Sequence, residues 1–325
     1  MMLDLSCLES VAVTGSSGFI GTHLVRALVE AGCRPILLTR STPIDQALAS
    51  NDHALDHARI DLADGDSIRE TLGRVSPSTI LHLAGTRGHG DPRGASVACM
   101  GVNFLGTARL LEAAMNTSVR RIVIIGSAEE YGNQSGPLDE TMALGAATAY
   151  GVSKANATNH ALGMHKTRGC PVVVARPFSV YGPGQPQNMF VAEAIDSAVN
   201  NVQFAMSLGE QKRDLIFIDD VVRGLIAAAC APGVEGRVIN LGTGLAHRLR
   251  DVAELIWQMT GTQAPLLIGN RQAGEEELYD TWADNTLAKR LLDWEPIVDL
   301  ESGLKLTIDF ARKERVAKAG ICQAM

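Results

Sequence analysis

The sequence predicts an α/β protein: a doubly wound parallel sheet followed by a smaller, discontinuous C-terminal lobe. Three observations predict it. Short β-branched runs alternate with helical patterns through the first 180 residues. The runs are apolar without alternation, as in strands covered on both faces by helices. A glycine-rich turn stands between the first run and the first helix, where a parallel sheet places its ligand loop. The chain has 325 residues, 46% apolar and 20% charged. A chain of that length buries about three quarters of its unfolded surface, and that composition excludes a disordered chain.

The elements follow in order. Val11-Ala12-Val13 is the first strand. Ile20, Leu24, Ala27, Leu28 and Ala31 fall at helical spacing, and Gly32 stands where a glycine ends a helix. Residues 35–39, 59–60, 80–84, 121–125 and 172–175 supply five further strands, with helices over 65–75, 95–116 and 147–167. Right-handed crossovers connect them. After Arg176 the rhythm breaks in a loop holding Pro177, Pro183 and Pro186. A helix over 188–200, a strand over 215–218 and a helix opened by Asp219 and Asp220 come next, the two carboxylates suiting a helix N-terminus. A strand over 238–241 and helices over 250–260 and 286–293 complete the pattern. We therefore assign 9–178 plus 211–242 to a dinucleotide-binding domain, 179–210 plus 243–311 to a substrate lobe, and 312–325 to a charged, fraying tail.

The first strand runs into Thr14-Gly15-Ser16-Ser17-Gly18-Phe19-Ile20-Gly21. Gly15 permits a tight turn, Gly18 lets the backbone approach a pyrophosphate, and Gly21 lets the helix pack on the strand. The helix start offers free N–H groups and a partial positive charge to the phosphates. Between a strand and a helix, this pattern marks the dinucleotide site of a Rossmann-type sheet, with Ser17, Phe19 and Ile20 as further contacts. The second strand ends at Arg40, followed by Ser41 and Thr42 and no acid. An acid there binds the ribose 2′-hydroxyl of NAD, whereas an arginine accommodates a 2′-phosphate. NADP(H) is thus favoured and NAD(H) left possible.

Tyr150 and Lys154 lie four residues apart in a helical pattern, on one face and one turn apart. A phenol with a pKa near 10 is a poor base at neutral pH, and a neighbouring ammonium favours its phenolate form. Ser127 stands at the end of the fifth strand, where ligands of a parallel sheet gather, and can hydrogen-bond the same substrate oxygen as Tyr150.

Further groups extend the pattern: Asp61-Leu62, His82-Leu83-Ala84-Gly85, Asn103 with Gly106-Thr107, Arg176-Pro177 with Tyr181-Gly182-Pro183-Gly184, Arg213-Asp214 with Phe217-Asp219-Asp220, Asn240 to Gly244, and Trp294-Glu295-Pro296. With the glycine loop and the Tyr150–Lys154 pair, they make a chain that resembles the extended short-chain dehydrogenase/reductases, in the nucleotide-sugar epimerase/dehydratase/reductase branch. The resemblance implies a cofactor lying along the glycine loop, Leu83, Ala84, Gly85 and Pro177, with Asp61 and Leu62 at its adenine. It implies that Lys154 also holds the nicotinamide ribose and that Asn103, on the cofactor side, supports the active-site helix. Arg213 and Arg271 would face the diphosphate of a sugar nucleotide, their charge suiting an anion, and Arg87 and Ser179 would be further substrate contacts. Relatives usually carry Asn at the position of Ser179.

Three reactions fit this resemblance: epimerisation by reversible oxidation, oxidation with 4,6-elimination, and ketone reduction. Elimination needs an additional acid and base. Ala128 stands where dehydratases of the family place Asp, but Glu129 is retained and is the candidate for that role. The segment Gly126-Ser127-Ala128-Glu129-Glu130-Tyr131-Gly132 most resembles reductases of 4-keto-6-deoxy sugar nucleotides, such as those acting on GDP-4-keto-6-deoxymannose, and Arg40 agrees with that reading. An NADP(H)-dependent 4-ketoreductase is the leading expectation. An NAD-dependent 4-epimerase and a 4,6-dehydratase are the alternatives. A non-catalytic dinucleotide-sensing module is a different class, against which the retained Tyr150 and Lys154 argue.

The net charge of −7 and the 4% aromatic content argue against a nucleic-acid partner. The longest uncharged stretches, 94–108 and 177–192, are interrupted by Gly, Ser, Asn or Pro and fall short of a membrane span. The first nine residues carry Asp4 and Glu9 but no Lys or Arg, the reverse of a secretory signal, so a cytoplasmic protein is expected. Six cysteines without a CxxC read as reduced thiols. His53 and His57 lack a third ligand, so no metal site is expected. Helix 95–116 carries two apolar strips, and the resemblance implies a homodimer paired through it and through helix 147–167.

Overall fold

The chain begins as its apolar rhythm requires: β1 (Val11–Thr14), α1 (Phe19–Glu30), β2 (Ile36–Thr39), β3 (His57–Arg59), α2 (Gly65–Val75) and β4 (Thr79–His82). A long helix follows, α-helical in α3 (Pro92–Cys99), π-helical over Met100–Gly106 and α-helical again in α4 (Thr107–Ala114). Next come β5 (Arg121–Ile125), a 3₁₀ turn at Ala128–Tyr131, β6 (Gly136–Leu138), α5 (Ala149–Arg168), β7 (Val172–Pro177) and β8 (Ser179–Tyr181). The remainder is α6 (Phe190–Val199), β9 (Phe204–Met206), β10 (Lys212–Arg213), β11 (Leu215–Phe217), α7 (Ile218–Cys230) and β12 (Val238–Leu241). It closes with β13 (His247–Arg248), α8 (Leu249–Thr260), β14 (Leu266–Ile268), β15 (Thr281–Ala283), α9 (Thr286–Leu292) and α10 (Leu300–Gln323). The structure, a computed structural model, describes residues 8–40, 55–88, 92–272 and 280–323.

Seven parallel strands form one sheet in the order β12-β7-β5-β4-β1-β2-β3. The order reverses direction at β1, a Rossmann-type topological switch point that opens a crevice at the strands' carboxyl ends. Successive residues of β1 serve opposite faces. Val11 and Val13 join one apolar core with Leu24 and Leu28, and Ala12 joins the other with Leu72, Leu110 and Leu111. Both faces being dry, the strands need continuous apolar runs. A four-stranded sheet, β13-β10-β15-β6, and the pairs β11-β8 and β14-β9 make up the second lobe.

Two buried carboxylates pin that lobe to the large sheet. Asp214 accepts from Thr243 N (2.8 Å), Thr243 Oγ1 (2.7 Å), Gly244 N (2.9 Å) and Ala283 N (3.1 Å). Asp220 accepts from Ile297 N at 3.1 Å, Val298 N at 3.0 Å and Arg223 at 2.6 Å. It is therefore more than a favourable charge at a helix start, which is all the sequence suggests for it.

Several expectations are corrected. The third strand is Leu-free and exposed at both ends, and it stops before Ile60. Residues 312–323 continue α10 instead of fraying: Leu304 and Ile308 are buried, Arg312 donates to Thr260 O at 3.1 Å, and Arg315 donates to Val199 O. Cys230 is disulfide-bonded, while Cys33, Cys99 and Cys170 are free thiols. Isolated cysteines carry no spacing from which to read which two the fold brings together. The helix Gly94–Ala114 is, by length and composition, sufficient to cross a membrane, contrary to expectation. Here its buried Asn103 and Thr107 are hydrogen-bonded into the carboxyl end of the sheet. Among the described residues no cluster of His, Cys, Asp and Glu could hold a metal; His53 lies outside them.

Candidate active site

The site begins where β1 ends. The Thr14 hydroxyl lies 2.6 Å from His82 Nδ1 and accepts from Ala84 N at 3.2 Å, and His82 Nε2 lies 2.9 Å from the Thr107 hydroxyl. Thr107 donates its own hydrogen to Asn103 O, so it accepts from Nε2–H, and Nδ1 is left to accept from Thr14. Burial holds this imidazole far below its ordinary value, at about 3, so it stays neutral. His82 is a brace for the glycine loop.

Gly15 turns with φ +68°, and a Cβ there would stand 2.5 Å from Ala84 N. At Gly21 a Cβ would overlap Gly15 O, so helix and strand can meet only at glycine. A Cβ on Gly18 meets only Gly15 O, at 3.3 Å, because its other side faces the crevice. The first turn of α1 carries no acidic side chain, so its N–H groups face the crevice without a competing anion. This cradle fits a pyrophosphate. Gly15, Gly18, Phe19, Ile20, Gly21, Leu83, Gly85 and Pro177 all line one cavity of about 620 Å³.

The same cavity holds Ser127, Glu129, Tyr150 and Lys154. Thr148 caps α5, accepting from Gly151 N at 2.9 Å, and so fixes where the helix starts and where Tyr150 points. Ser127 Oγ accepts from Glu129 N at 3.2 Å, and its hydroxyl lies close enough to the Tyr150 phenol to act on its pKa. Lys154 Nζ donates to Ile125 O at 2.8 Å, and burial lowers its pKa to about 8. Asn103 accepts from Thr86 N (2.7 Å) and donates to Thr86 O (2.8 Å) and Ser153 Oγ (2.9 Å). Its polar atoms are spent on the protein: it braces α5 against the loop after β4 and does not line the cavity.

The electrostatics depart from the sequence expectation. Burial pushes the Tyr150 phenol up to about 12, with Arg87 and Ser127 acting downward and Glu129 and Glu130 upward. Lys154 Nζ stands 5.8 Å from the ring centroid, whereas the Arg87 guanidinium lies over the ring at 4.4 Å. The cation nearest the phenol ring is therefore Arg87, a contact between a loop and a helix that no local spacing reveals. Arg87 Nη1 donates to Glu129 Oε1 at 2.7 Å, and Glu129 Oε2 accepts from Thr148 at 2.9 Å.

Ser179 and Arg213 also line the cavity. Ser17, Arg40, Asp61, Leu62, Ala84 and Arg271 do not. Arg40 is exposed at the end of β2, and Ser41 and Thr42 lie outside the described residues. Asp61 caps the turn at Ala63, and Arg271 pairs with Glu193 at 3.7 Å on the surface. The sequence reading missed Gln185, whose amide donates to Val180 O at 2.8 Å while its Oε1 is buried in the cavity wall without a partner. It also missed Thr148, although a Thr two residues before Tyr150 is a recognisable helix cap. A second cavity of about 660 Å³, beside Thr262, Arg312 and Val316, contains none of the residues singled out from the sequence.

The model of the "NAD dependent epimerase/dehydratase family" matches residues 11–242. The "Uncharacterized UDP-glucose epimerase YtcB" of Bacillus subtilis (strain 168) is 28% identical over 90% of this chain and 95% of its own length. A dTDP-glucose 4,6-dehydratase of Actinoplanes sp. is 29% identical over 94% and 98%. The solved structure "MoeE5 in complex with UDP-glucuronic acid and NAD" superposes with a TM-score of 0.84 at 30% identity, over 94% of this chain and 99% of that one.

Proposed function

Because the chain belongs to the NAD dependent epimerase/dehydratase family, an enzyme family acting on nucleotide sugars, we propose that it is an NAD(H)-dependent 4-epimerase of a uridine-diphosphate sugar. The observation that carries this reading is the state of Glu129. Both its carboxylate oxygens are taken, one by Arg87 and one by Thr148, while Ser127, Tyr150 and Lys154 converge in the cavity. The groups for reversible oxidation are assembled. The extra carboxylate that elimination needs is held by the protein.

NAD, when bound, supplies a hydride acceptor in one direction and a hydride donor in the other. Gly15, Gly18 and the start of α1 would hold its pyrophosphate. With the positive charge of a bound oxidised nicotinamide added to that of Arg87, Tyr150 Oη would take the proton of the sugar 4-hydroxyl and return one to that same oxygen once the sugar has presented its opposite face. Ser127 holds the same oxygen by a hydrogen bond. Lys154 keeps most of its positive charge at neutral pH, 5.8 Å from the centre of the phenol ring, and Arg213 would face the diphosphate.

Epimerisation stands ahead of 4-keto reduction because the relatives above are an epimerase and a dehydratase by name, and because MoeE5 is described with NAD. Arg40 supports the second reading, an NADPH-dependent reductase. Incubation with UDP-glucose and UDP-glucuronic acid, with products separated by chromatography, tests the proposal. The expected result is the 4-epimer with no net change in absorbance at 340 nm. Stoichiometric NADPH consumption on a 4-keto-6-deoxy sugar nucleotide, or a 4-keto product from dTDP-glucose, would overturn it. We also propose a homodimer, supported by Val97, Leu105 and Val152, which leave apolar surface exposed on α3, the π-helical stretch and α5. A monomeric mass by light scattering at micromolar concentration would refute that.

A further inference from the structure

We propose that the Arg87–Glu129 ion pair is a positioning unit that sets the acid–base strength of Tyr150, Arg87 acting on the phenol and Glu129 governing how much of the guanidinium charge reaches it. The inference rests on the proposed oxidation at a sugar hydroxyl and gives two residues first read as a substrate contact and a catalytic acid/base a different task.

Three elements converge to build the unit. The backbone ahead of Arg87 is fixed, since Thr86 N and O are both bound by Asn103. From there the guanidinium reaches across the Tyr150 ring, 4.4 Å from its centroid, and Nη1 meets Glu129 Oε1 at 2.7 Å. Glu129 is itself anchored by Thr148, the residue that caps the helix carrying Tyr150. A shift in any one of the three moves the other two.

The charges around the phenol can be enumerated. The loop after β4 brings Arg87, with the Cys99 thiol of α3 close to it; the 3₁₀ turn brings Glu129 and Glu130; α5 brings Lys154. Ser127 adds its hydroxyl. A cation against the face of a phenol favours the phenolate, and an anion opposes it. Arg87 is the cation nearest the ring, and Glu129 is its direct counter-ion. The two therefore act on Tyr150 with opposite sign, whereas two residues with a merely structural role would harm the site in the same sense.

The test is the pH dependence of turnover of the NAD-loaded enzyme on a UDP-sugar for wild type, Arg87→Met, Glu129→Gln and Arg87→Lys. The acid limb, which reports loss of the tyrosinate, should move up by about one pH unit in Arg87→Met and down in Glu129→Gln. Below the limb, one unit is about a tenfold change in rate. Arg87→Lys should restore part of the shift. A second readout needs no catalysis: the ring-carbon NMR titration of Tyr150 in ¹³C-tyrosine-labelled protein, assigned by its loss in Tyr150→Phe. Its midpoint should be lower in Glu129→Gln than in wild type, whereas in Arg87→Met the phenol should stay protonated up to the highest pH at which the protein remains folded. Both side chains are partly exposed, and thermal melts check that each variant folds. Limbs or midpoints that coincide, or that move in the same direction in both variants, would overturn the proposal. If no UDP-sugar is turned over, the epimerase reading fails while the NMR titration still decides this one.

Discussion

Glu130 and Arg176 form an ion pair with side chains 0% and 1% exposed, closed at 2.7 Å. The other Glu130 oxygen accepts from Ser127 N at 2.8 Å, and Arg176 stacks 4.4 Å over the Tyr131 ring, whose hydroxyl donates to Asn240 at 2.8 Å. Two of the guanidinium nitrogens have no hydrogen-bond partner, so Glu130 is the group that offsets that charge. Glu130→Gln keeps an oxygen for Ser127 N but leaves a desolvated cation. Removing one partner of such a pair costs about 3–5 kcal/mol, and for a chain of this size each kcal/mol lowers Tm by roughly 2–4 °C. A fall on the order of 10 °C is expected. Arg176→Met should cost a similar amount, for the mirror-image reason. The double variant, which removes both charges and leaves groups of similar volume, should regain most of the loss. Urea and thermal melts of the four proteins by circular dichroism measure this. A Glu130→Gln midpoint within 1 °C of wild type, or a double variant whose loss equals the sum of the two single losses, would refute the reasoning.

Other outcomes follow from the same structure. Tyr150→Phe should lower turnover about 10²–10⁴-fold with little change in sugar-nucleotide affinity by calorimetry; retained turnover would remove the phenol from its role. His82 has a folded pKa, about 3, depressed below the ordinary 6.5. The unfolded chain therefore takes up its proton first, and the stability linked to the neutral ring is present above about pH 6.5 and lost as pH falls toward 3. Stability measured in urea at stepwise lower pH should fall more steeply in wild type than in His82→Gln, and parallel curves would contradict this. Gly15→Ala places a methyl 2.5 Å from Ala84 N at a positive φ, so dinucleotide affinity should drop at least tenfold in a fluorescence titration.

Much of this molecule was legible because the informative spacings are short. The glycines from 15 to 21 and the Tyr150–Lys154 pair lie within one or two helical turns, and the apolar strands of the large sheet repeat a simple rhythm. What stayed hidden depends on pairs far apart in the chain. Arg87 meets Glu129 across 42 residues and Glu130 meets Arg176 across 46, and single residues carry no sign of a distant partner. Strands of two or three residues, such as β10 and β13, are too brief for periodicity to register. Ser127 and Tyr150, paired in the sequence reading, do line one cavity, but the balance between burial and charge at the phenol was not legible, because burial is a property of the whole fold.

Asp214 sits between β10 and β11, yet it gathers amides from the segment after β12 and from β15. A hinge that swung the end of β12 away from β10 and β11 would strip this carboxylate of the three donors from Thr243 and Gly244 in a single stroke. The groove is thus built rigid at its floor. The rim differs: the exposed stretch 186–188, beside the positive-φ Gly182 and Gly184, borders the cavity and carries no buried charge.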